Sequence, residues 1–201
     1  MTLYKMRERF SGLSIRIGTA FSRLGLSPNQ WTVISLVPAI LAVYFLVYQN
    51  FIAAALLFLF SVFLDIVDGS VARVTGRVTM FGAYLDTIVD RYVEAIIIFG
   101  LLFASLPGFY LPVQAWLFLY FFGSMITTYA KSAAKEKDIV VREIRGGLLE
   151  RAERMIILFI GILIASVNPL YLTYIVVLLA VLTNISALQR IYIVSGKAKE
   201  A

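Results

Sequence analysis

Long runs of apolar residues, each closed by a short polar or Pro/Gly-containing break, dominate this chain from residue 31 onward. Six such runs stand at about 31–49, 51–74, 80–105, 111–134, 150–168 and 170–194, and each is near the ~20 residues that cross a ~30 Å hydrocarbon layer as a helix. The breaks fall at Gln49-Asn50, Thr75 to Thr79, Leu106 to Leu111, Lys135 to Leu149 and Val167 to Pro169, where turn-forming residues concentrate. Ahead of the first run the period changes. Leu3, Met6, Phe10, Leu13, Ile17, Phe21 and Leu24 recur every three or four residues with basic residues mostly between them, the pattern of an amphipathic helix at a membrane interface. Arg7, Arg9, Arg16 and Arg23 interrupt any apolar run here, so no cleaved signal peptide is expected. The pattern predicts an all-α integral membrane protein. An N-terminal amphipathic interfacial helix (1–26) precedes six transmembrane helices (31–194), and residues 1–201 form a single domain without repeats or low-complexity tracts.

Composition strengthens the membrane reading and narrows the chemistry. Hydrophobic residues make up 61% of the chain and the mean hydropathy is +0.89, far above the soluble range. Cysteine and histidine are absent, which removes disulfides, thiol catalysis and the commonest general base. Any reaction must rest on carboxylates, cations and hydroxyls. The net charge of +6, from 18 Lys+Arg against 12 Asp+Glu, points to an anionic membrane surface or a phosphorylated ligand, and in so apolar a chain not to nucleic acid. The positions of the cations also orient the chain. With six crossings, the N-terminus, the 75–79 loop, the 135–149 loop and the C-terminus share one side, and all 18 cations lie in or near those segments. The three opposite connections carry none, so the positive-inside rule predicts a multi-pass cell-membrane protein with both termini cytoplasmic.

Within this apolar pattern the stretch "LDIVDGSVARVTGRVTMFGAYLDTIVD" (64–90) contains Asp65, Asp68, Asp86 and Asp90. A charge at the centre of a membrane helix costs about 2.5–3.5 kcal/mol on insertion scales. The acids lie toward the cytoplasmic ends of their helices, which lowers the cost and predicts an active site facing the cytoplasm. Helical spacing puts Asp65, Asp68, Gly69 and Ala72 on one stripe and Gly82, Asp86 and Asp90 on another. Four carboxylates meeting across two helices would repel, whereas one or two Mg²⁺ or Mn²⁺ ions would turn them into a hard-oxygen metal site. A solvated acidic helix face is the plainer alternative, and the apolar residues on both sides argue against it.

Read with its spacing, the stretch is Asp65-x2-Asp68-Gly69-x2-Ala72-Arg73-x8-Gly82-x3-Asp86-x3-Asp90. It resembles the signature of the CDP-alcohol phosphatidyltransferases at every fixed position, and "GLSPNQWT" (25–32) is similar to the segment that leads into that family's first membrane helix. The resemblance implies transfer of a phosphatidyl-type group from a CDP-linked lipid donor to an alcohol, with release of CMP. It also implies two Mg²⁺ or Mn²⁺ ions, with Asp65, Asp68 and Asp86 as metal ligands and Asp90 sharing the second ion while acting as general base. CDP would be held by Asp68, Gly69, Ala72, Arg73 and Arg77, and the enzyme would be a homodimer.

Lys131, Arg151, Arg154 and Arg190, in "TYAKSAAK", "LLERAERMI" and "LQRIY", stand at the cytoplasmic ends of the last three runs. Singly, such cations are ordinarily snorkelling anchors. Together they resemble the stretches of phosphatidylinositol-phosphate synthases that bind the phosphate of an inositol phosphate acceptor, and several converging cations suit a phosphorylated polyol. Glycerol 3-phosphate as acceptor and CDP-inositol as donor stay open. So does the donor lipid, diacylglycerol or archaeol. Outside the family, an intramembrane prenyltransferase and a cation transporter also place acids in the membrane.

Overall fold

The computed structural model describes residues 3–139 and 149–197, with side chains from 12 to 139 and from 149 to 196. The expected apolar positions Leu3, Met6 and Phe10 and most of the 135–149 connection lie outside the described side chains. Eight helices occur in the described residues: α1 (Leu3–Ser22), α2 (Pro28–Ile34), α3 (Leu36–Val47), α4 (Phe51–Val74), α5 (Met80–Phe103), α6 (Val113–Glu136), α7 (Arg151–Ala165) and α8 (Pro169–Lys197). No strand is present among them. Three spans are long and apolar enough to cross a membrane by length and composition: Pro28–Val47, Phe51–Val74 and Pro169–Gly196. The α5 helix carries Asp86, Asp90, Arg91 and Glu94, and α7 has only 15 residues, about 22 Å at 1.5 Å per residue.

Local chemistry sets the helix starts. Ser27 and Gln30 form a capping box at α2, with Pro28 at the first position, where its missing N–H leaves nothing unbonded. Asn50 caps α4 through the Ala53 amide, and Thr79 caps α5 through the Gly82 amide. The run expected to be continuous over 31–49 breaks between Ile34 and Leu36. Pro38, four residues after Ile34, has no N–H for the Ile34 carbonyl and its ring crowds that carbonyl; the Ser35 hydroxyl bonds the Thr32 carbonyl at 2.6 Å. The interruption keeps α2 free to bring Thr32 over the C-terminal half of α4.

The core is a continuous apolar cluster running through α3, α4, α5, α6, α7 and α8, with Ala42, Phe58, Ile97, Leu117, Leu158 and Leu179 fully buried. A second cluster joins α1 and α2 to α4 through Ile17, Phe21, Trp31, Leu64 and Val67. Part of the α1 stripe therefore packs on the protein, while Leu13 and Leu24 stay exposed. α6 and α8 approach closely at Gly123, where a Cβ would come within 2.5 Å of Thr183 Oγ1. Around the outside, Leu56, Leu59, Phe60, Phe99, Phe118 and Phe122 are 47–63% exposed. An apolar belt of this kind on a chain this hydropathic is the surface of a membrane protein.

Candidate active site

The acidic residues are brought together by the C-terminal half of α4 and the N-terminal half of α5. Asp65, Asp68 and Asp86 each offer an oxygen, and the three oxygens lie within 4.8 Å of one another. Hard carboxylate oxygens at that separation are the donor set that Mg²⁺ or Mn²⁺ takes, so these residues fit a divalent cation. Asp68 is 5% exposed and accepts a hydrogen bond from the Thr32 hydroxyl, which fixes its carboxylate from the α2 side.

Asp90 is not one of that trio, although its carboxylate lies beside that of Asp65. Arg151 Nη2 lies 2.6 Å from its Oδ1 and Arg91 Nη1 lies 3.3 Å from its Oδ2. Arg151 also reaches Asp65 Oδ2 at 3.6 Å. The guanidinium of α7 thereby links the acids of α4 and α5.

Beside the trio lies an open cavity of about 340 Å³, bounded by Pro28, Asn29 and Thr32 of α2 and by the facing ends of α4 and α5. Asp68, Gly69, Ala72, Arg73 and Arg77, the residues expected to hold a nucleotide diphosphate, all line it, as do Gly82 and Asp86. At Gly82 a Cβ would sit 3.2 Å from Asn29 Oδ1 and 3.0 Å from Thr79 Oγ1, so the missing side chain keeps the wall open. Arg73 and Arg77 are exposed cations at the rim. The Arg73 guanidinium donates to the Ser14 hydroxyl of α1 at 2.8 Å, and Ser14 shares a hydrogen bond of 2.9 Å with Ser70.

The four cations at the C-terminal ends of α6 and α8 and the N-terminal end of α7 divide into two kinds. Lys131 and Arg151 are half-buried, the latter at the acid cluster. Arg154 and Arg190 are 2% and 3% exposed and have internal acceptors. Arg190 Nη1 donates to the Thr127 carbonyl at 2.7 Å and Nη2 to Glu150 at 3.3 Å. Arg154 donates from Nε and Nη2 to the two oxygens of Glu94, at 3.1 and 3.2 Å. Sequence reasoning missed Glu94, although it extends the spacing 82, 86, 90 by one more turn. It also missed Thr32 and Asn29, whose role depends on the break after α2, and Glu150, which nothing local distinguishes from a solvated acid.

An archaetidylinositol phosphate synthase of Pyrococcus horikoshii is 35% identical over 190 residues, spanning 94% of this chain and 95% of that one. The phosphatidylinositol phosphate synthase of Mycobacterium tuberculosis, crystallised with CDP-DAG bound, superposes with a TM-score of 0.80 at 28% identity over 90% of this chain and 92% of its own. The same enzyme in complex with manganese and citrate gives a TM-score of 0.80, covering 90% and 88%. The sequence pattern of one family runs from residue 26 to residue 186, across α2 to α8 and every acid of the cluster, and on that match the chain belongs to the CDP-alcohol phosphatidyltransferases.

Proposed function

We propose that this chain transfers a phosphatidyl-type group from a CDP-lipid to a hydroxyl of inositol phosphate and releases CMP. The observation that carries the proposal is the junction of the three-carboxylate cluster with a cavity whose wall holds every residue expected to contact CDP. The relatives' names supply the acceptor class, and the convergence of cations behind Asp90 supports it.

Asp65, Asp68 and Asp86 would hold Mg²⁺ or Mn²⁺, with Asp90 sharing a second ion. When bound, the metal offsets the charge that builds on the departing CMP. Thr32 orients the Asp68 carboxylate. Gly69, Ala72 and Gly82 leave backbone-close space for the nucleotide, and Arg73 and Arg77 neutralise its diphosphate. Asp90 accepts the proton of the attacking hydroxyl; that oxygen bonds the lipid-bearing phosphorus, and the bond from that phosphorus to the CMP oxygen breaks. Arg151 holds Asp90 in place. Lys131, Arg151, Arg154 and Arg190 form the basic wall for the acceptor phosphate, the first two at its face and the buried pair behind them.

Residues 1–201 act as one domain, α1 lies at the cytoplasmic interface, and the remaining helices make six crossings with both termini and the site on the cytoplasmic side. Cation distribution supports this orientation. A homodimer is proposed on family likeness.

Membranes containing the protein are incubated with CDP-diacylglycerol or CDP-archaeol and either inositol phosphate or glycerol 3-phosphate, and CMP is measured. Release is expected with inositol phosphate and Mg²⁺ or Mn²⁺, and none in excess EDTA. Full turnover with the chelator present would overturn the metal assignment, and equal release with both acceptors would overturn the acceptor.

A further inference from the structure

Glu94 is completely buried on α5, and its carboxylate gathers donors from two further helices. Ser124 and Tyr120 of α6 donate to Oε1 at 2.7 and 3.1 Å, and Arg154 of α7 donates to both oxygens. Tyr120, Ser124 and Arg154 are themselves 0–2% exposed, so the cluster is sealed on all sides. One turn toward the cytoplasm on the same face of α5 is Asp90, and one turn toward the N-terminus of α7 is Arg151, which pairs with it. The two helices are thus joined by two successive rungs, Asp90 with Arg151 at the site and Glu94 with Arg154 behind it.

The rungs have different exposure and therefore different duties. The Asp90 and Arg151 side chains keep 12% and 22% of their surface, so the first rung meets substrate and water, and its geometry is open to competition from both. The second rung is dry, forked and saturated with donors, the arrangement in which a charged hydrogen-bond network holds one geometry. Rotation or sliding of α7 against α5 would break both rungs together. Fixing the second fixes where the Arg151 guanidinium stands over Asp90, and Ser124 ties α6, which carries Lys131 two turns further on, to the same point.

We propose that Glu94 is a positioning residue for acceptor binding: without touching substrate, it sets through Arg154 and Ser124 the register of α5, α6 and α7, and so the spacing of the basic wall. The inference rests on the acceptor reading above. Donor binding belongs to α2, α4 and the start of α5, so the two substrates should respond differently.

The test measures kcat, both KM values and thermal stability for Glu94→Gln, Glu94→Asp and Ser124→Ala in the full-length protein. Glu94→Gln places an amide where Arg154 needs a charged fork; it should raise KM for inositol phosphate about tenfold or more, the usual loss when a charge-assisted contact is disturbed, while KM for the CDP-lipid stays within about twofold. Glu94→Asp keeps the charge and should recover most of the acceptor affinity even though its shorter stem lowers the melting temperature. Ser124→Ala, the mildest change, should raise acceptor KM about threefold with donor KM unchanged, and it carries the test should the Glu94 variants fail to accumulate. Equal shifts in both KM values, an unchanged acceptor KM, or a Glu94→Asp enzyme no better than Glu94→Gln would each reduce Glu94 to a fold-stabilising group. Failure of the wild type to release CMP with inositol phosphate would instead overturn the acceptor reading, and the KM split would then be measured with whichever phosphorylated polyol supports turnover.

Discussion

Asp65 and Asp90 are both acids within reach of one guanidinium, yet their surroundings assign them different work. Asp65 meets Asp68 and Asp86, while Asp90 is held by Arg151 and Arg91. Asp65→Asn should abolish turnover, with partial recovery at raised Mn²⁺ or Mg²⁺, because it removes one charged donor from a set of three. Asp90→Asn should still bind CDP-lipid but turn over about 10²–10⁴-fold more slowly, the usual contribution of a general base, and added metal should not help. Near-normal kcat in Asp90→Asn would move the base elsewhere. Burial separates the arginines in the same way. Arg154→Ala leaves the Glu94 carboxylate without its partner in a dry core and should cost about 3–5 kcal/mol of stability, whereas Arg151→Ala, at a wetter position, should lower the melting point much less. Equal melting temperatures for the two variants would contradict the burial argument.

Between elements, α6 meets α8 where Gly123 faces Thr183 and Asn184. Both partners are already engaged, Thr183 with the Leu179 carbonyl and Asn184 with the Leu119 carbonyl, so neither side chain yields freely. Gly123→Ala should therefore destabilise the protein by about 1–3 kcal/mol as an overpacked contact, while Gly196→Ala, with open space at its Cβ, should change the melting point little. Since alanine is the better helix former at both positions, a Gly123→Ala melting temperature as high as that of Gly196→Ala would show that the α6–α8 contact relaxes at no cost. The same scale shows what was legible in the chain beforehand. The acid stripes at 65, 68 and at 86, 90 follow from helical spacing, and α4 occupies the very residues, Phe51–Val74, that its apolar run predicts. The split at Ser35 was legible in principle, since Pro38 dictates it, but a run averaged over 20 residues hides a single missing N–H. The Glu94 junction was not legible. Its donors come from residues 26, 30 and 60 positions away, and only packing decides that an acid one turn past the motif is sealed and not solvated.

For the molecule as a whole, helix lengths have a vertical meaning that residue contacts do not. Asp68 lies 17 residues along α4 and Arg190 lies 21 residues along α8, about 26 and 32 Å from their outer ends at 1.5 Å per residue. In the proposed orientation these heights bracket the inner edge of a ~30 Å hydrocarbon layer. The acids then stand where a lipid diphosphate lies, and Arg190 stands one helical turn nearer the water from which a polyol phosphate arrives. α8 continues past Arg190 to Lys197, and α7, at 15 residues, is too short to shift the balance alone. In that orientation the helix lengths act as a depth gauge, and bilayer thickness should control catalysis. In vesicles of phosphatidylcholines with progressively longer acyl chains, turnover should pass through a maximum and fall on both sides, as thin bilayers lift the acids out of register with the donor headgroup and thick ones draw Arg190 into hydrocarbon. A flat profile across that series would show that the helices tilt freely enough to keep both sites at their working depth.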